Sequence, residues 1–325
     1  MNAIHKAGKV GVVINCGTSQ IKSLPPLIDR LKGKLGQETA FVVAYGPQVL
    51  GRPPDYFPKG TIFLPIPCRQ GQGVMHGFDR LASPAISAEK LIYTDSEHIR
   101  FILPKIMELS LRIGENMALA RWHQDVPLYA PYSQVIAETA ISYTIDYTSP
   151  LYPKGGIPPS WENRKKFEET ARGDSRAYGV HFLGLAGIPS AAWEKMSKLI
   201  PQLYSKSMED FKWAGIDAGL VLAAQWVGLG LDSSLELMKQ YGHEHYPRGS
   251  DGERKYAQSR VSHFRMETNV ALEFLRKVNQ EKVQPLMAFV EEMAGIIGAA
   301  GFHWPDREVL RGKTKPGGKS SFMKD

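Results

Sequence analysis

The amino-acid sequence predicts an α/β protein in which a mostly parallel sheet is flanked by helices and followed by a helical C-terminal extension. Two observations predict this fold class. In the first half of the chain, short apolar runs alternate with amphipathic stretches, as strands and covering helices do. From Arg254 to about Ala300, apolar residues such as Val261 and Phe264 stand at positions that suit long helices.

Buried strands are predicted where apolar residues follow one another directly. In chain order these runs are 10–14 (VGVVI), 40–44 (AFVVA), 61–64 (TIFL) and 91–94 (LIYT). Two further strand candidates lie at 178–185 and 231–238, where apolar and polar residues are mixed.

Helices are predicted between the strands. Because proline suits the first turn of a helix, one helix is expected to begin near Pro25 and another near Pro104. The other predicted helices are 73–81, 135–147, 191–200 and 216–227. The stretch 148–160 contains four prolines and two adjacent glycines, which predicts a long surface loop.

The composition of the 325 residues is that of an ordinary globular protein, with 43% hydrophobic and 22% charged residues. No apolar run approaches the roughly 18 to 20 residues needed to span a bilayer, and residues 1–9 lack the apolar core of a signal peptide. Cys16 and Cys68 are the only cysteines, which excludes a disulfide framework and a Cys-rich zinc site. We therefore expect a reduced, cytoplasmic protein without an integral membrane segment.

The formal net charge is +7, from 40 basic and 33 acidic residues. Part of the excess lies in the Gly-, Ser- and Lys-rich tail 311–325, which is predicted to be mobile. The remainder suits either a solvated basic surface or an anionic small substrate. The charge does not separate these interpretations, and we predict no nucleic-acid partner.

Two carboxylates, Asp95 and Glu97, directly follow the apolar run 91–94. In open α/β sheets, ligands bind beyond the carboxyl ends of the strands. Two acids separated by one residue can both reach a hard divalent cation, and Mg²⁺ commonly joins one or two carboxylates to substrate phosphates. The alternative is structural: Asp95 caps the next turn and Glu97 is solvated.

Gly71, Gln72 and Gly73 open the helix predicted just before this acidic pair. Glycine allows a backbone to approach a ligand, and the amino-terminal end of a helix favours phosphate. The segment matches neither the Walker pattern nor the dinucleotide fingerprint. A simple turn before a helix remains the alternative.

Asp217 stands at the start of the apolar helix predicted at 216–227. An acid at this position is favoured as an anion. It can accept a hydrogen bond from a substrate hydroxyl or act as a base. The alternative is an ordinary charge at a helix amino terminus.

His243 and His245 flank one residue in the segment Gly-His-Glu-His-Tyr-Pro-Arg. In an extended segment both imidazoles point the same way, and one of them could bind a metal together with carboxylates. The spacing is not that of a zinc helix. A pair of surface histidines is the alternative.

Taken in order, these segments resemble a known family. The order is VGVVINCGTSQ, GQGVMHGFDRL, LIYTDSE, WAGIDAGLVLAAQWVGLGLD and GHEHYPR. Over roughly residues 9–275 the chain resembles nucleotide-sugar glycosyltransferases of the GT-A fold. It is most similar to the retaining glucosyl- and mannosylglycerate synthase group, which includes the glucosyl-3-phosphoglycerate synthases. The chain departs from the family pattern at Glu97, where Asp is usual, and at Ile188, where the phosphoglycerate enzymes carry Arg.

The resemblance implies a Rossmann-like GT-A sheet, and together with the pattern of the chain it gives three regions. These are a nucleotide-sugar and acceptor-binding domain at 1–249, a helical extension at 250–302 and a basic tail at 303–325. It also implies a metal-dependent hexosyltransferase that uses a donor of the UDP-glucose or GDP-mannose type and a small glycerate-like hydroxyl acceptor, with retention of configuration. A sugar nucleotidyltransferase and a non-catalytic GT-A-like binding protein are the alternatives. A homodimer through the apolar helical extension is a further expectation.

The resemblance also assigns roles to individual residues. The ligands of Mg²⁺ or Mn²⁺ are Asp95, Glu97 and His245, with His243 as the weaker alternative to His245. The donor-binding residues are Asn15, Cys16, Gly17, Thr18, Gly71, Gln72, Gly73 and Asp95. Asp217 is the catalytic residue. It shares acceptor binding with Gly184, Leu185, Ala186 and Gly187.

Overall fold

A computed structural model of the chain describes residues 9–16, 21–46, 57–66, 70–124, 178–180, 184–204, 216–239 and 250–299. Several sequence-based predictions lie outside the described residues. They are the helix at 135–147, the loop at 148–160, the basic tail, and the site residues Gly17, Thr18, His243 and His245.

Over the residues that are described, eight strands form one mixed, mostly parallel sheet. They are β1 (Val10–Cys16), β2 (Ala40–Tyr45), β3 (Ile62–Pro65), β4 (Lys90–Asp95), β5 (Asn116–Gln124), β6 (Tyr178–Val180), β7 (Leu185–Pro189) and β8 (Gly230–Lys239). The spatial order begins β3-β2-β1-β4, and these four strands are parallel. Strand β7 then lies antiparallel between β4 and β5, and β5 also pairs antiparallel with β6 and parallel with β8.

Helices cover both faces of this sheet. They are α1 (Leu24–Leu35), α2 (Gln70–Ala82), α3 (Ile99–Ile102), α4 (Ile106–Arg112), α5 (Ser190–Leu203), α6 (Ile216–Trp226), α7 (Asp251–Val278) and α8 (Val283–Ala299). Helix α1 contacts α4, whereas α2 contacts α5 and α6, and α7 packs on α6. The α/β class that the sequence predicts is therefore confirmed. None of the helices described here is long and apolar enough to cross a membrane.

The apolar residues of the C-terminal helices belong to the same core as the sheet. Phe274 and Leu275 of α7 and Leu286 of α8 are at most 1% exposed and join the cluster that contains the interior strands. Helix α7 reaches this core through its contact with α6. The helical extension is thus packed against the α/β body over the residues that are described.

The structure differs from the sequence-based prediction in its middle part. Strand β5 was not predicted, because Met117 to Ala120 are residues that favour helices. They are nevertheless buried, and β5 pairs with β7 on one side and β8 on the other. The predicted strand at 178–185 also proves wrong in its extent, because Leu185 belongs to β7 and not to β6. The helix expected near Pro104 begins at Ile106, after a turn.

Helix α2 packs so closely against β1 that there is no room for a methyl group at Gly77. A Cβ atom at Gly77 would stand 2.6 Å from Cγ2 of Val13, a fully buried residue of β1. We expect Gly77→Ala to lower the free energy of unfolding by about 1–3 kcal/mol, because a packed core resists added volume. Urea-induced unfolding measures the change.

Gly33→Ala in α1 is the matched control for this substitution. Gly33 is exposed, and a Cβ atom there would meet nothing within 4 Å. Alanine at this helical position is expected to raise the free energy of unfolding by about 0.5–1 kcal/mol. Equal effects of the two substitutions would contradict the close packing of α2 on β1.

Candidate functional site

The candidate site lies where the order of the parallel strands reverses. The chain passes from β1 outward to β2 and β3 and then returns to add β4 on the other side of β1. In doubly wound sheets, ligands bind outside the carboxyl ends of the strands at this switch point. Asn15 near the end of β1 and Asp95 at the end of β4 are paired in register there. Two residues predicted from separate motifs are thus neighbours.

The Asp95 carboxylate is held by polar groups of the sheet. The side-chain amide of Asn15 donates to Asp95 Oδ1 at 3.5 Å, and the hydroxyl of Tyr93 donates to the same oxygen at 3.3 Å. The backbone N–H of Asp95 donates to the carbonyl of Gly184 at 3.0 Å. These contacts fix the carboxylate at the edge of the sheet.

A short 3₁₀ turn, Ser96–His98, follows Asp95 and brings two more titratable groups to the site. Glu97 is half exposed, and its Oε1 lies 3.2 Å from Nε2 of the buried His98. His98 is not among the site residues that the sequence predicts. His98 stands three residues after Asp95 in the sequence. One helical turn places residues at this spacing on the same side, so the spacing could have indicated that His98 lies near Asp95.

Asp217 also belongs to this group of acids. It is the second residue of α6 and only 5% exposed. Burial raises the pKa of Asp95 to about 7; the charge of His98 opposes this shift, whereas Glu97 and Asp217 add to it. The carboxylates of Asp95 and Asp217 are therefore close enough to interact, although far apart in the sequence.

The amino-terminal end of α2 completes the site. Because α2 follows β3, it begins at the carboxyl edge of the sheet. A Cβ atom at Gly73 would stand 2.6 Å from Asn15 Oδ1 and 2.9 Å from the Cβ of Ala44, so only glycine allows this approach. The first turn of α2, with Gly71 and Gln72, therefore lies beside Asn15. A helix amino terminus in this place favours an anion such as a phosphate group.

Cys16 lies at the end of β1 and is buried. Burial raises the pKa of its thiol from 9.0 to about 11, and a hydrogen bond with Ser96 partly opposes the shift. The thiol is thus neutral at physiological pH. Its contribution to a binding site would be shape, since a neutral buried thiol behaves as a small apolar group.

We expect Cys16 to resist alkylation in the folded protein. At pH 8 its thiolate fraction should be about 100-fold smaller than that of an ordinary cysteine, because burial raises the pKa from 9.0 to about 11. Mass spectrometry after iodoacetamide treatment of Cys68→Ser should show label on Cys16 only in urea. Rapid labelling of the folded protein would contradict its burial.

The same pKa predicts how stability depends on pH. Because the folded state holds the thiol proton more tightly, its contribution is complete below pH 9 and is lost as the pH rises from 9 to about 11. Cys16→Ala should remove this part of the alkaline decline. Urea unfolding at pH 8 and pH 10.5 compares the two proteins, and an identical decline in both would contradict the assignment.

The segment predicted to bind the acceptor is a strand over most of its length. Leu185, Ala186 and Gly187 belong to β7 and pair with Thr94, Tyr93 and Ile92 in turn, so the segment leads away from Asp95. Leu185 and Ala186 are each 1% exposed. Gly184, with φ of +57°, is the member of the segment that lies beside the Asp95 carboxylate. An acceptor contact by the other three stays a prediction.

The acids of the site suit a hard divalent cation. Burial is the main cause of the raised pKa of Asp95, and the negative charges of Glu97 and Asp217 add to it. A bound cation would offset this repulsion. Within the described ranges, no three potential ligands are arranged to hold a metal ion by themselves. The predicted ligand His245 lies outside those ranges. One or two carboxylates together with substrate phosphates form a usual Mg²⁺ site, so the residues present fit.

A comparison of the chain with protein-family models and with curated proteins finds no match.

Proposed function

We propose that the chain is a metal-dependent glycosyltransferase of the GT-A type. It would move a hexosyl group from a nucleotide diphosphate sugar, of the UDP-glucose or GDP-mannose type, to a small hydroxyl acceptor such as glycerate. Retention of configuration and the choice of donor class rest on the family resemblance. The rest of the proposal is supported by one observation: Asn15, Asp95 and the start of α2 meet at the switch point of the sheet, and the charge of Asp217 acts on Asp95 there.

This convergence suits a nucleotide diphosphate. The start of α2 would bind a phosphate group through the backbone N–H groups of its first turn, and Gly73 allows that helix to approach the end of β1. Asp95, with Glu97 beside it, would hold Mg²⁺ or Mn²⁺. When bound, such a cation offsets the charge that develops on a diphosphate leaving group.

Asp217 is the residue of the site best suited to contact the sugar or the acceptor. It stands in the first turn of α6, where the helix dipole favours its anionic form. A buried carboxylate accepts hydrogen bonds from hydroxyl groups and can orient a sugar or a glycerate-like acceptor. Asn15 and Tyr93 have a different role, since both hold Asp95 in position.

An assay of nucleoside diphosphate release tests the proposal. The protein is incubated with UDP-glucose or GDP-mannose and Mn²⁺, with and without D-glycerate as the acceptor. We expect release from one donor to require Mn²⁺ and to increase with glycerate. Asp217→Asn should lower the rate by about 100-fold or more, whereas Asp29→Asn, at an exposed position of α1, should leave it unchanged.

The same assay distinguishes the rival functions. Pyrophosphate release from a nucleoside triphosphate and a sugar 1-phosphate would instead indicate a sugar nucleotidyltransferase. Neither reaction with any of these substrates, together with unaltered folding, would indicate a non-catalytic binding protein.

A further inference from the structure

A cavity lies at the edge of the sheet opposite the candidate site, where the parallel strands begin. Its volume is about 290 Å³, near the lower limit of sites for small molecules. It is lined by Lys9, Lys32, Thr39, Phe41, Lys59 and Ile62, with further residues of the same loops. β1 separates it from Asn15, and seven strand residues span about 20 Å. The cavity is therefore distinct from the candidate site at the carboxyl edge.

The charged residues around this cavity are mostly basic. Lys9, Lys32 and Lys59 line it together with one acid, Glu38, which leaves a formal charge of two positive. The lysines come from three separate parts of the chain: the start of β1, helix α1 and the loop before β3. Cations gathered from separate elements around one concave surface favour a doubly charged anion.

Thr39 lines the cavity and carries a hydroxyl that is closed off from solvent. The residue is 7% exposed, and its hydroxyl has no hydrogen-bond partner among the residues described. Its backbone N–H is already used, because it donates to the carbonyl of Gly36 at 3.1 Å. A buried hydroxyl without a partner is unfavourable, and rotation of the Thr39 side chain toward the cavity would let an oxygen-rich ligand satisfy it.

Apolar side chains form the remaining wall. Phe41 and Ile62, at the starts of β2 and β3, and Ile86, in the loop before β4, line the cavity beside the polar groups. A ligand that matches both parts combines a compact dianion with a short apolar body. We propose that this cavity binds a small phosphate monoester, with the phosphate between Thr39 and the lysines.

Titration calorimetry with phenyl phosphate tests this site on the full chain. The matched variants are Lys32→Gln and Lys34→Gln, since both lysines stand near the end of α1 but only Lys32 lines the cavity. We expect millimolar or tighter binding by the wild type and about fivefold weaker binding by Lys32→Gln. Lys34→Gln should bind as the wild type does, and inorganic phosphate should bind more weakly than the ester.

Thr39→Val provides a second readout that a purely structural threonine would not give. Replacing the hydroxyl with a methyl group should weaken phenyl phosphate binding about fivefold and raise the melting temperature of the unliganded protein. Absence of binding, equal binding by all variants, or binding that needs Asp95 instead of Lys32 would each overturn the proposal.

Discussion

Asp95→Asn is expected to abolish metal-dependent nucleotide binding and, at the same time, to make the unliganded protein more stable. The pKa of Asp95 is raised from 3.8 to about 7, mainly by burial, so its charged form is unfavourable in the fold. Asparagine keeps an oxygen that can accept from Asn15 and Tyr93 but carries no charge. Binding of nucleotide with Mn²⁺ should weaken by at least about 100-fold, because a metal ligand is removed.

The gain in stability has a defined pH dependence. A carboxyl whose pKa is raised on folding is most favourable below its unfolded pKa, and the wild type loses that contribution as the pH rises from about 4 to about 7. The advantage of Asp95→Asn should therefore grow through this range and stay constant above it. At pH 8 we expect Asp95→Asn to raise the free energy of unfolding by about 1–3 kcal/mol. This value allows for the partial exposure of the carboxylate.

Urea unfolding at pH 5 and pH 8 without divalent cations measures this difference. Asp29→Asn, at an exposed position of α1, is the control and should change the free energy of unfolding by less than about 0.5 kcal/mol. A variant at Asp95 that is less stable than the wild type at pH 8 would show that the carboxylate is a structural group.

Gly184→Ala is expected to damage both the fold and the site. Gly184 has φ of +57°, which costs a residue with a side chain about 1–2 kcal/mol. In addition, a Cβ atom there would overlap Oδ2 of Asp95 and lie 3.2 Å from Nδ1 of His98. The free energy of unfolding should fall by roughly 2–4 kcal/mol in total. Nucleotide binding should be lost, because Asp95 has to move.

Gly228→Ala separates the two causes of this loss. Gly228 also has a positive φ, +86°, but a Cβ atom there meets nothing within 4 Å. Gly228→Ala should lower the free energy of unfolding only by the cost of the positive φ, about 1–2 kcal/mol. Urea unfolding of both variants gives the difference that belongs to the contact with Asp95. If the two losses are equal, Gly184 does not press against the carboxylate.

The parts of the fold that the sequence predicted are those in which local and tertiary preferences agree. β1, β2 and β4 are runs of β-branched or aromatic apolar residues, and they are buried strands in the structure. β5 could not be found in this way. Its Met117, Ala118 and Leu119 favour helix, and only pairing with β7 and β8 makes them a strand.

Those residues of the site that stand at the ends of strands could be predicted from the sequence. Asp95 was selected because it follows a buried strand, and in the structure it lies at the switch point of the sheet. Its proximity to Asp217 depends on how α6 packs against neighbouring helices, which no local pattern encodes. His98 was overlooked because the turn that returns it to Asp95 is only three residues long.

Calorimetric titration of UDP and of GDP, each with and without Mn²⁺, tests the central claim most directly. If the carboxyl edge of β1 and β4 binds a nucleotide diphosphate together with a metal, one of the two nucleotides binds in the presence of Mn²⁺. That binding is lost without the cation and in Asp95→Asn. Absence of binding by either nucleotide, or binding that is indifferent to both Mn²⁺ and Asp95, would contradict the glycosyltransferase proposal.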